Sequence, residues 1–194
     1  EMASRIYAAE SAVYRTGGML TDSLHSLDRS GADGGQVTAK GIEEYALECS
    51  LEKVFSSEME AYVVDEAVQI HGGYGYIAEY PVERLYRDAR IRRIFEGTNE
   101  INRILVPTTL LKRAAKGTLP LMDAAKGLQH KLREGVPARA NLEEMAQIAK
   151  DVFCFVLATA VDKYGDALVK QQEILCKLAD LAIYAYTTES TLLR

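Results

Sequence analysis

The chain has 194 residues, of which 48% are hydrophobic and 26% are charged, and its formal net charge at pH 7 is −5. This composition is typical of a globular protein that buries a sizeable core, and the negative charge argues against a general affinity for nucleic acid. With only 4 prolines and 14 glycines, the chain is neither collagenous nor a proline-rich disordered segment.

The first part of the chain carries two long helical patterns. Apolar residues recur at steps of three, four and seven, which predicts one face of a first helix: Met2, Ile6, Ala9, Val13, Leu20, Leu24 and Leu27. After a turn cluster at residues 30–35, a second pattern runs from about Thr38 to His71 and is apolar on more than one face. It predicts a central helix, which the glycines after His71 bring to an end.

Shorter helices are expected further along. Pro81 suits the first turn of a short helix, and either Thr98 or Asn99 can cap the helix that follows. Gly117 and Pro120 mark a boundary. Three more helical patterns lie beyond it, at about 120–134, 141–165 and 170–194.

No segment alternates with a period of two, so the predicted fold is all-α, an antiparallel helical bundle followed by a helical extension. The predicted domains are residues 1–117 and 118–194. Because the chain opens inside an amphipathic pattern without a capping residue and closes without a terminal glycine, we expect it to be a fragment. The longest apolar run, Val152–Val161, is shorter than the roughly 20 residues that a membrane-spanning helix requires.

The last segment repeats features of the first. When Glu10-Ser11 is set against Glu189-Ser190, Ala3 matches Ala182, Tyr7 matches Tyr186 and Arg15 matches Arg194. Two interpretations remain open. The matches are either a coincidence of alanine-rich helices or the start of a second, degenerate copy of the opening bundle. The three cysteines are odd in number and scattered through helical patterns, which predicts reduced core thiols of an intracellular protein.

Residues 69–103 hold the features that suggest chemistry. Two glycines at a helix end allow a sharp turn and close approach of a flat ligand, and five arginines fall between Arg84 and Arg93. Glu96 lies between apolar Ile94-Phe95 and Gly97, a setting in which a carboxylate can serve as a general base. The next three residues, Thr98, Asn99 and Glu100, stand at a predicted helix start, where backbone N–H groups can hold a phosphate.

Each signal alone has an ordinary structural interpretation. Two glycines commonly mark only a helix end, a glutamate before a glycine is commonly a solvated loop residue, and His71 is more often a packed or capping side chain than a catalytic one. The arginines commonly form a salt-bridged face, for which Glu83 and Asp88 offer partners. No Cys/His cluster has metal-ligand spacing, so we expect no metal site.

Taken together, the segments closely resemble the C-terminal signature of the acyl-CoA dehydrogenases. The matching pieces are Gln69–Tyr76, Glu79–Pro81, Tyr86–Ile91 and Phe95–Glu100. The helical pattern from 1 to about 113 is similar to the family's C-terminal helical domain. The tail from about 118 onward resembles the extra helical region of its very-long-chain-type members.

The resemblance implies FAD-dependent α,β-dehydrogenation of fatty acyl-CoA thioesters to trans-2-enoyl-CoA in β-oxidation. Glu96 matches the catalytic base that removes the α-proton, and Gly97 matches a substrate-contacting glycine. Thr98, Asn99 and Glu100 match residues beside the FAD. The segment that reaches the FAD of a neighbouring subunit in the family is matched by Gln69, Ile70, His71, Gly72 and Gly73.

Partners follow from the same resemblance. It implies a homo-oligomer, with a dimer favoured because the longer members are dimers, and electron-transfer flavoprotein as the electron acceptor. The expected location is the cytoplasm of a bacterium or the mitochondrion of a eukaryote. Membrane contact is not expected, because the tail shows no strongly basic amphipathic face. The isolated chain is expected to be inactive.

Two alternatives remain at the level of the sequence. The first is a helical interaction module without chemistry, which would dock through the arginines of residues 84–93. A docking module has no need of Glu96 next to a glycine gap, and this argues against it. The second is an acyl-CoA oxidase-like relative that passes electrons to oxygen, and the sequence does not separate it from a dehydrogenase.

Overall fold

A computed structural model describes residues 1–121, 124, 128 and 141–194, and over these residues the chain is all-α, as predicted. The described part contains seven α-helices: α1 Met2–Ser26, α2 Gly34–Glu44, α3 Ala46–His71, α4 Pro81–Arg92, α5 Asn99–Ala115, α6 Leu142–Tyr164 and α7 Gln172–Leu193. Two 3₁₀-helices, Gly72–Tyr76 and Gly165–Lys170, follow α3 and α6. The helix predicted at about 120–134 falls mostly on residues outside this description.

The chain forms two compact units, Glu1–Asn102 and Arg103–Arg194. The division falls inside α5, earlier than the boundary that the sequence places at Gly117. Gly117 follows α5 with a φ of 71°, a left-handed conformation that glycine adopts at little cost. The division of the sequence into domains 1–117 and 118–194 stays a prediction.

Helix α3 is the centre of the first unit. It packs against α1, α2, α4 and the Gly72–Tyr76 3₁₀-helix, which agrees with its predicted central position. Its fully buried residues recur at steps of three, four and seven and so form one stripe along the helix: Leu47, Ser50, Leu51, Val54, Ser57 and Val64.

The buried face of α1 differs from the predicted one. The predicted stripe includes Ile6 and Val13, yet these side chains are 38% and 45% exposed. The residues buried in α1 are small or polar: Ala9, which belongs to the predicted stripe, and Ser11, Ala12 and Thr16, which do not. Small side chains let α1 approach α3 closely, and the other large residues of the stripe are only half-buried: Met2, Leu20, Leu24 and Leu27.

The single helix predicted from Thr38 to His71 is wrong, because the chain forms two helices there. Helix α2 begins earlier, at Gly34, and the helical run is interrupted at Tyr45. A Cβ atom at Gly41 would lie 2.8 Å from Cδ1 of Leu27, so α2 passes very near the end of α1 at this glycine. The apolar periodicity continues through Tyr45 and carries no sign of this packing of α2, so it could not predict the interruption.

The second unit is built on α6 and α7, which pack against each other and against the Gly165–Lys170 3₁₀-helix. Four leucines that are at most 1% exposed form its core: Leu157, Leu168, Leu175 and Leu178. Asn141 and Glu144 form a reciprocal capping box at the start of α6, with N···O distances of 2.9 and 2.8 Å. Such caps are worth about 1 kcal/mol and fix where the helix begins.

The suggested repeat agrees at one position and not at another. Ser11 and Ser190 are both buried, and their hydroxyls donate to the carbonyls of Tyr7 and Tyr186 at 2.6 and 2.7 Å. By contrast, Ala182 is buried whereas its counterpart in α1, Ala3, is exposed. The duplication therefore stays a hypothesis.

All three cysteines lie in helices and none of them forms a disulfide, as expected. Cys154 and Cys176 are half-buried, but Cys49 is exposed. The expectation that all three are core residues is therefore wrong for Cys49, which lies on the outer side of α3.

Candidate functional site

The glycines after α3 fold as the sequence predicts. Gly72 ends the helix with a φ of 58°, and its N–H donates to the carbonyl of Gln69. The chain then turns into the 3₁₀-helix, where a Cβ atom at Gly75 would lie only 2.7 Å from the carbonyl oxygen of Val68. Glycine at position 75 is therefore required for the 3₁₀-helix to fold back on α3.

The segment predicted to reach a cofactor, Gln69–Gly73, is exposed along its whole length. Ile70 is 68% exposed, and a Cβ atom at Gly72 or Gly73 would meet nothing within 4 Å. His71 is turned back onto its own helix, because its Nδ1–H donates to the carbonyl of Ala67 at 2.8 Å. The segment thus presents open backbone at the glycines and an imidazole in a capping position.

Helix α4 begins at Pro81 as predicted and carries the arginines. Three of the five are held in ion pairs: Arg84 with Asp88 at 3.8 Å, Arg87 with Glu83 at 2.6 Å and Arg92 with Glu60 at 2.6 Å. Glu83 also raises the pKa of Arg87 through its hydrogen bond. Exposed pairs of this kind contribute little to stability, about 0–1 kcal/mol each.

Glu96 has the most unusual backbone in the described part of the chain. Its φ is 53°, the only positive φ of a non-glycine residue among the described residues. The left-handed region costs a residue with a side chain roughly 1–2 kcal/mol. Gly97 follows with a φ of 82°, so the chain turns through two consecutive left-handed residues before α5.

The carbonyl oxygen of Gly97 accepts two side-chain hydrogen bonds. One donor is Lys53 Nζ of α3 at 2.7 Å, and the other is Asn102 Nδ2 of α5 at 2.9 Å. Lys53 Nζ also donates to Asn99 Oδ1 at 2.7 Å. The loop that carries Glu96 is therefore fixed from both neighbouring helices by bonds to its backbone.

Asn99 is 2% exposed and is bound to α3 by its side chain. Its amide nitrogen donates to Ser57 Oγ at 3.0 Å and to Glu58 Oε1 at 3.1 Å, and its backbone N–H donates to the carbonyl of Arg93 at 3.1 Å. Burial of an amide is favourable only when its polar atoms are paired in this way. Asn99 thus ties both ends of the loop to the protein.

Of the two predicted caps for α5, Thr98 is the one that the structure uses. Its Oγ1 accepts the N–H of Ile101 at 3.2 Å, the bond expected of a threonine that precedes the first helical residue. Glu100, in the first turn, is exposed. The N–H groups of this turn and the Thr98 hydroxyl lie together at the start of α5.

A cleft of about 390 Å³ lies beside Glu96, lined among others by Lys53, Met59 and Phe95. The glutamate itself is exposed, and Phe95 remains 45% exposed. Burial lowers the pKa of Lys53, and the carboxylates of Glu100, Glu96 and Glu58 act in the opposite direction. The cleft thus combines an apolar wall with two carboxylates, Glu60 and Glu96, the Lys53 ammonium group and the Arg92 guanidinium.

Sequence reasoning did not find Lys53, Ser57 or Asn102. One signal was available, since Lys53 stands with Glu52 between the buried residues Leu51 and Val54. A lysine in such a place needs acceptors. Its acceptor in Gly97 is 44 residues away in sequence, and no pattern in the chain links the two.

The described ranges also bear on metals and membranes. No group of three or more His, Cys, Asp or Glu side chains within them could hold a metal ion. Among the helices of those ranges, none is both long enough and apolar enough to cross a membrane.

Comparison with known proteins identifies the class to which this fold and site belong. A family described as "Acyl-CoA dehydrogenase, C-terminal domain" matches residues 1–111, and a second family of the same description matches residues 148–194. The chain therefore belongs to the acyl-CoA dehydrogenase family. The resemblance of residues 69–103 to that family is confirmed.

Individual relatives agree with this assignment. A probable acyl-CoA dehydrogenase of Bacillus subtilis is 51% identical over the whole of this chain and 34% of its own length. The very long-chain specific acyl-CoA dehydrogenase of mouse mitochondria is 34% identical over 76% of this chain and 26% of its own length. The similarity to very-long-chain-type members is thus confirmed.

A solved structure matches the fold closely. The crystal structure of an acyl-CoA dehydrogenase complexed with FAD from Bacillus anthracis superimposes with a TM-score of 0.94 and 48% sequence identity, covering 99% of this chain and 34% of that one. The chain thus spans about a third of the length of these bacterial relatives.

Proposed function

We propose that this chain supplies the catalytic base and part of the FAD site of an enzyme that oxidises fatty acyl-CoA thioesters to trans-2-enoyl-CoA. The observation that carries the proposal is the strained backbone of Glu96, whose φ is 53°. A glycine would occupy this position at lower cost. Non-glycine residues held in such conformations concentrate at functional sites, where the surrounding structure maintains them.

The chemistry of the reaction suits a carboxylate at this place. The thioester carbonyl acidifies the α-carbon, but removal of its proton still requires a base within hydrogen-bond reach. In the proposal, a carboxylate oxygen of Glu96 takes this proton. Gly97 has no side chain and leaves room beside the base for the thioester. FAD, when bound, accepts the hydride that leaves the β-carbon.

The residues predicted to hold FAD suit a flat, anionic group. The backbone at Gly72 and Gly73 is open to close approach, and the first turn of α5 after Thr98 offers N–H groups that favour a phosphate. Thr98 and Glu100 would contact the cofactor at the start of α5. Gln69, Ile70 and His71 would contact it beside Gly72 and Gly73, and together these are the proposed FAD residues of the chain. The side chain of Asn99 is already paired with α3, so its role toward FAD stays a prediction.

Proton abstraction from carbon is efficient only where water is excluded. Ile94 and Phe95 beside Glu96 are 47% and 45% exposed. Further protein must therefore cover the loop in the active enzyme. This agrees with the fact that the chain spans about a third of its bacterial relatives.

We also propose that the enzyme is a homo-oligomer, with a dimer favoured, and that electron-transfer flavoprotein is its electron acceptor. The dimer is carried over from the very-long-chain-type members, to which the chain is similar. The Bacillus relatives favour the bacterial alternative, for which the proposed location is the cytoplasm. An oxidase-like activity would differ by reducing oxygen, so aerobic turnover without an added acceptor distinguishes the two.

The rival proposal of a docking module loses its main support. Three of the five arginines that would form its docking face are paired with carboxylates of α3 and α4. A face that is internally neutralised offers little attraction for an acidic partner. The arginine run is better explained as a set of ion pairs on and around α4.

Glu96→Gln in the complete flavoprotein tests the proposal. The amide keeps the shape of the side chain but cannot accept the proton, so FAD and acyl-CoA binding should persist while the rate constant of flavin reduction falls by about 10²–10⁴-fold. Stopped-flow absorbance measures this step. Glu143→Gln, at an exposed position of α6, is the matched control. Near wild-type flavin reduction in Glu96→Gln would remove the assignment.

A further inference from the structure

Lys53 holds the Glu96 loop by its backbone. Its Nζ lies 2.7 Å from the Gly97 carbonyl oxygen and 2.7 Å from Asn99 Oδ1. Hydrogen bonds from a charged donor are shorter and about twice as strong as neutral ones. Both acceptors belong to the loop or to its junction with α5, so one side chain of α3 bridges Gly97 and Asn99, the first and third residues after Glu96.

From this geometry we infer that Lys53 is a positioning residue for the Glu96 carboxylate. The inference rests on the proposed function, in which Glu96 is the base. Lys53 does not reach the reacting atoms in this scheme. It holds the Gly97 carbonyl, and this in turn keeps Glu96 in its left-handed backbone conformation, with φ of 53°.

The strain at Glu96 explains why such a bond is needed. A left-handed glutamate relaxes toward ordinary φ values unless neighbouring groups prevent it. Asn102 supplies a second bond to the Gly97 carbonyl, at 2.9 Å, but Asn102 belongs to α5 and moves with it. Lys53 is anchored in α3, the central helix of the first unit, so of the two donors to the Gly97 carbonyl it is the one that fixes this carbonyl to the core.

The surroundings of Lys53 support a charged, ordered ammonium group. It is half-buried and lines the cleft beside Glu96. Burial lowers its pKa, and the carboxylates of Glu100, Glu96 and Glu58 oppose this shift only in part. The two hydrogen bonds that this ammonium group donates compensate for the cost of its partial burial.

Two measurements with Lys53→Met test the inference. In the complete flavoprotein, the rate constant of flavin reduction by acyl-CoA should fall about 10²-fold, as expected for a misplacement of about 1 Å, while the acyl-CoA dissociation constant stays within about threefold. In the 194-residue chain, hydrogen exchange of the Asn99 amide, which is bonded to the Arg93 carbonyl, should accelerate by about tenfold or more.

The control is Lys40→Met, an exposed lysine of α2, which should change neither quantity. Lys53→Arg keeps the charge in a longer, planar group and should give an intermediate rate. If Lys53→Met does not fold, Lys53→Arg carries the test, and a wild-type rate with wild-type exchange in that variant would overturn the inference.

The exchange measurement separates the inference from the proposed function. If Glu96→Gln proved fully active while Lys53→Met still accelerated exchange of the Asn99 amide, the base would be misassigned but Lys53 would still order the loop. If Lys53→Met reduced flavin at the control rate or left the exchange unchanged, the positioning role would be wrong. A parallel loss of acyl-CoA binding and rate would also count against it, because positioning of the base should act on the rate alone.

Discussion

At Glu96, the residue type that the proposed function requires is not the one that would give the most stable fold. The residue that the proposed chemistry requires occupies a backbone conformation better suited to glycine, with φ of 53°. Four hydrogen bonds within the turn and around it oppose relaxation: two to the Gly97 carbonyl and two from the Asn99 amide. The backbone strain at Glu96 lowers the stability of the fold, and the hydrogen bonds of its neighbours compensate for this loss, as is common in active sites.

Glu96→Gly should therefore make the chain more stable while it abolishes the base. Glycine adopts φ of 53° without steric cost, and after allowance for its greater freedom in the unfolded chain we expect the free energy of unfolding to rise by about 0.5–1 kcal/mol. Urea denaturation of the 194-residue chain measures this. Glu96→Ala is the control, since it keeps the strain. A glycine variant less stable than the alanine variant would show that the strain is not real.

A second residue couples stability to pH. Burial in α3 raises the pKa of Glu52, a hydrogen bond from Thr16 lowers it and the nearby Glu48 raises it, and the resulting pKa is about 7. The folded protein therefore binds this proton more tightly than the unfolded chain, whose glutamate titrates near 4.5. Between these two pH values the free energy of unfolding falls as pH rises, and the stabilising proton is lost above pH 7.

Glu52→Gln should remove this dependence. We expect the variant to gain about 1 kcal/mol relative to wild type between about pH 5 and about pH 8, a figure reduced because the side chain is only partly shielded from solvent. Denaturation at both pH values measures it. The control is Glu43→Gln at an exposed position of α2, whose free energy of unfolding should change with pH as that of the wild type does. If the free energies of unfolding of Glu52→Gln and wild type differed by the same amount at both pH values, Glu52 would not be the group responsible for the pH dependence.

At the level of elements, the turn after α3 contains one glycine that the packing requires and another that has free space around it. A Cβ atom at Gly75 would lie 2.7 Å from the Val68 carbonyl oxygen, whereas at Gly73 it would meet nothing within 4 Å. Gly75→Ala should therefore destabilise the chain by about 1–3 kcal/mol, and Gly73→Ala should change it by less than about 0.5 kcal/mol. Thermal denaturation of both variants compares them, and equal losses would contradict the close contact at Gly75.

The elements also show what the sequence can and cannot predict. The capping box at Asn141, the proline at the start of α4 and the glycine end of α3 depend on neighbouring residues, so their positions follow from the sequence. The interruption at Tyr45 depends on packing of α2 against the end of α1. The left-handed Glu96 depends on Lys53, 44 residues before Gly97. Contacts of this kind leave no periodic pattern in a single sequence. Glu96 could therefore be proposed as the base from the sequence, but the residues that hold its loop in place could not.

At the level of the whole molecule, the site of this chain is incomplete by itself. In the proposal, Gln69–Gly73 reach the FAD of a neighbouring subunit and Thr98–Glu100 contact an FAD at the start of α5. One chain then contributes a few contacts to each of two cofactors. Both segments contain exposed residues, among them all of Gln69–Gly73 and Glu100, so neither encloses a flavin as ligand pockets ordinarily do.

The isolated 194-residue chain should therefore be folded but colourless and inactive. A few exposed contacts repay little of the freedom that a flavin loses on binding, so dialysis should remove FAD completely and leave no visible flavin absorbance. The complete protein, treated in the same way, is the control and should keep one FAD per subunit. Helical circular dichroism confirms that the isolated chain is folded during the measurement. Stoichiometric FAD retained by the isolated chain would place the main cofactor contacts within these residues and would contradict the division of the site between subunits.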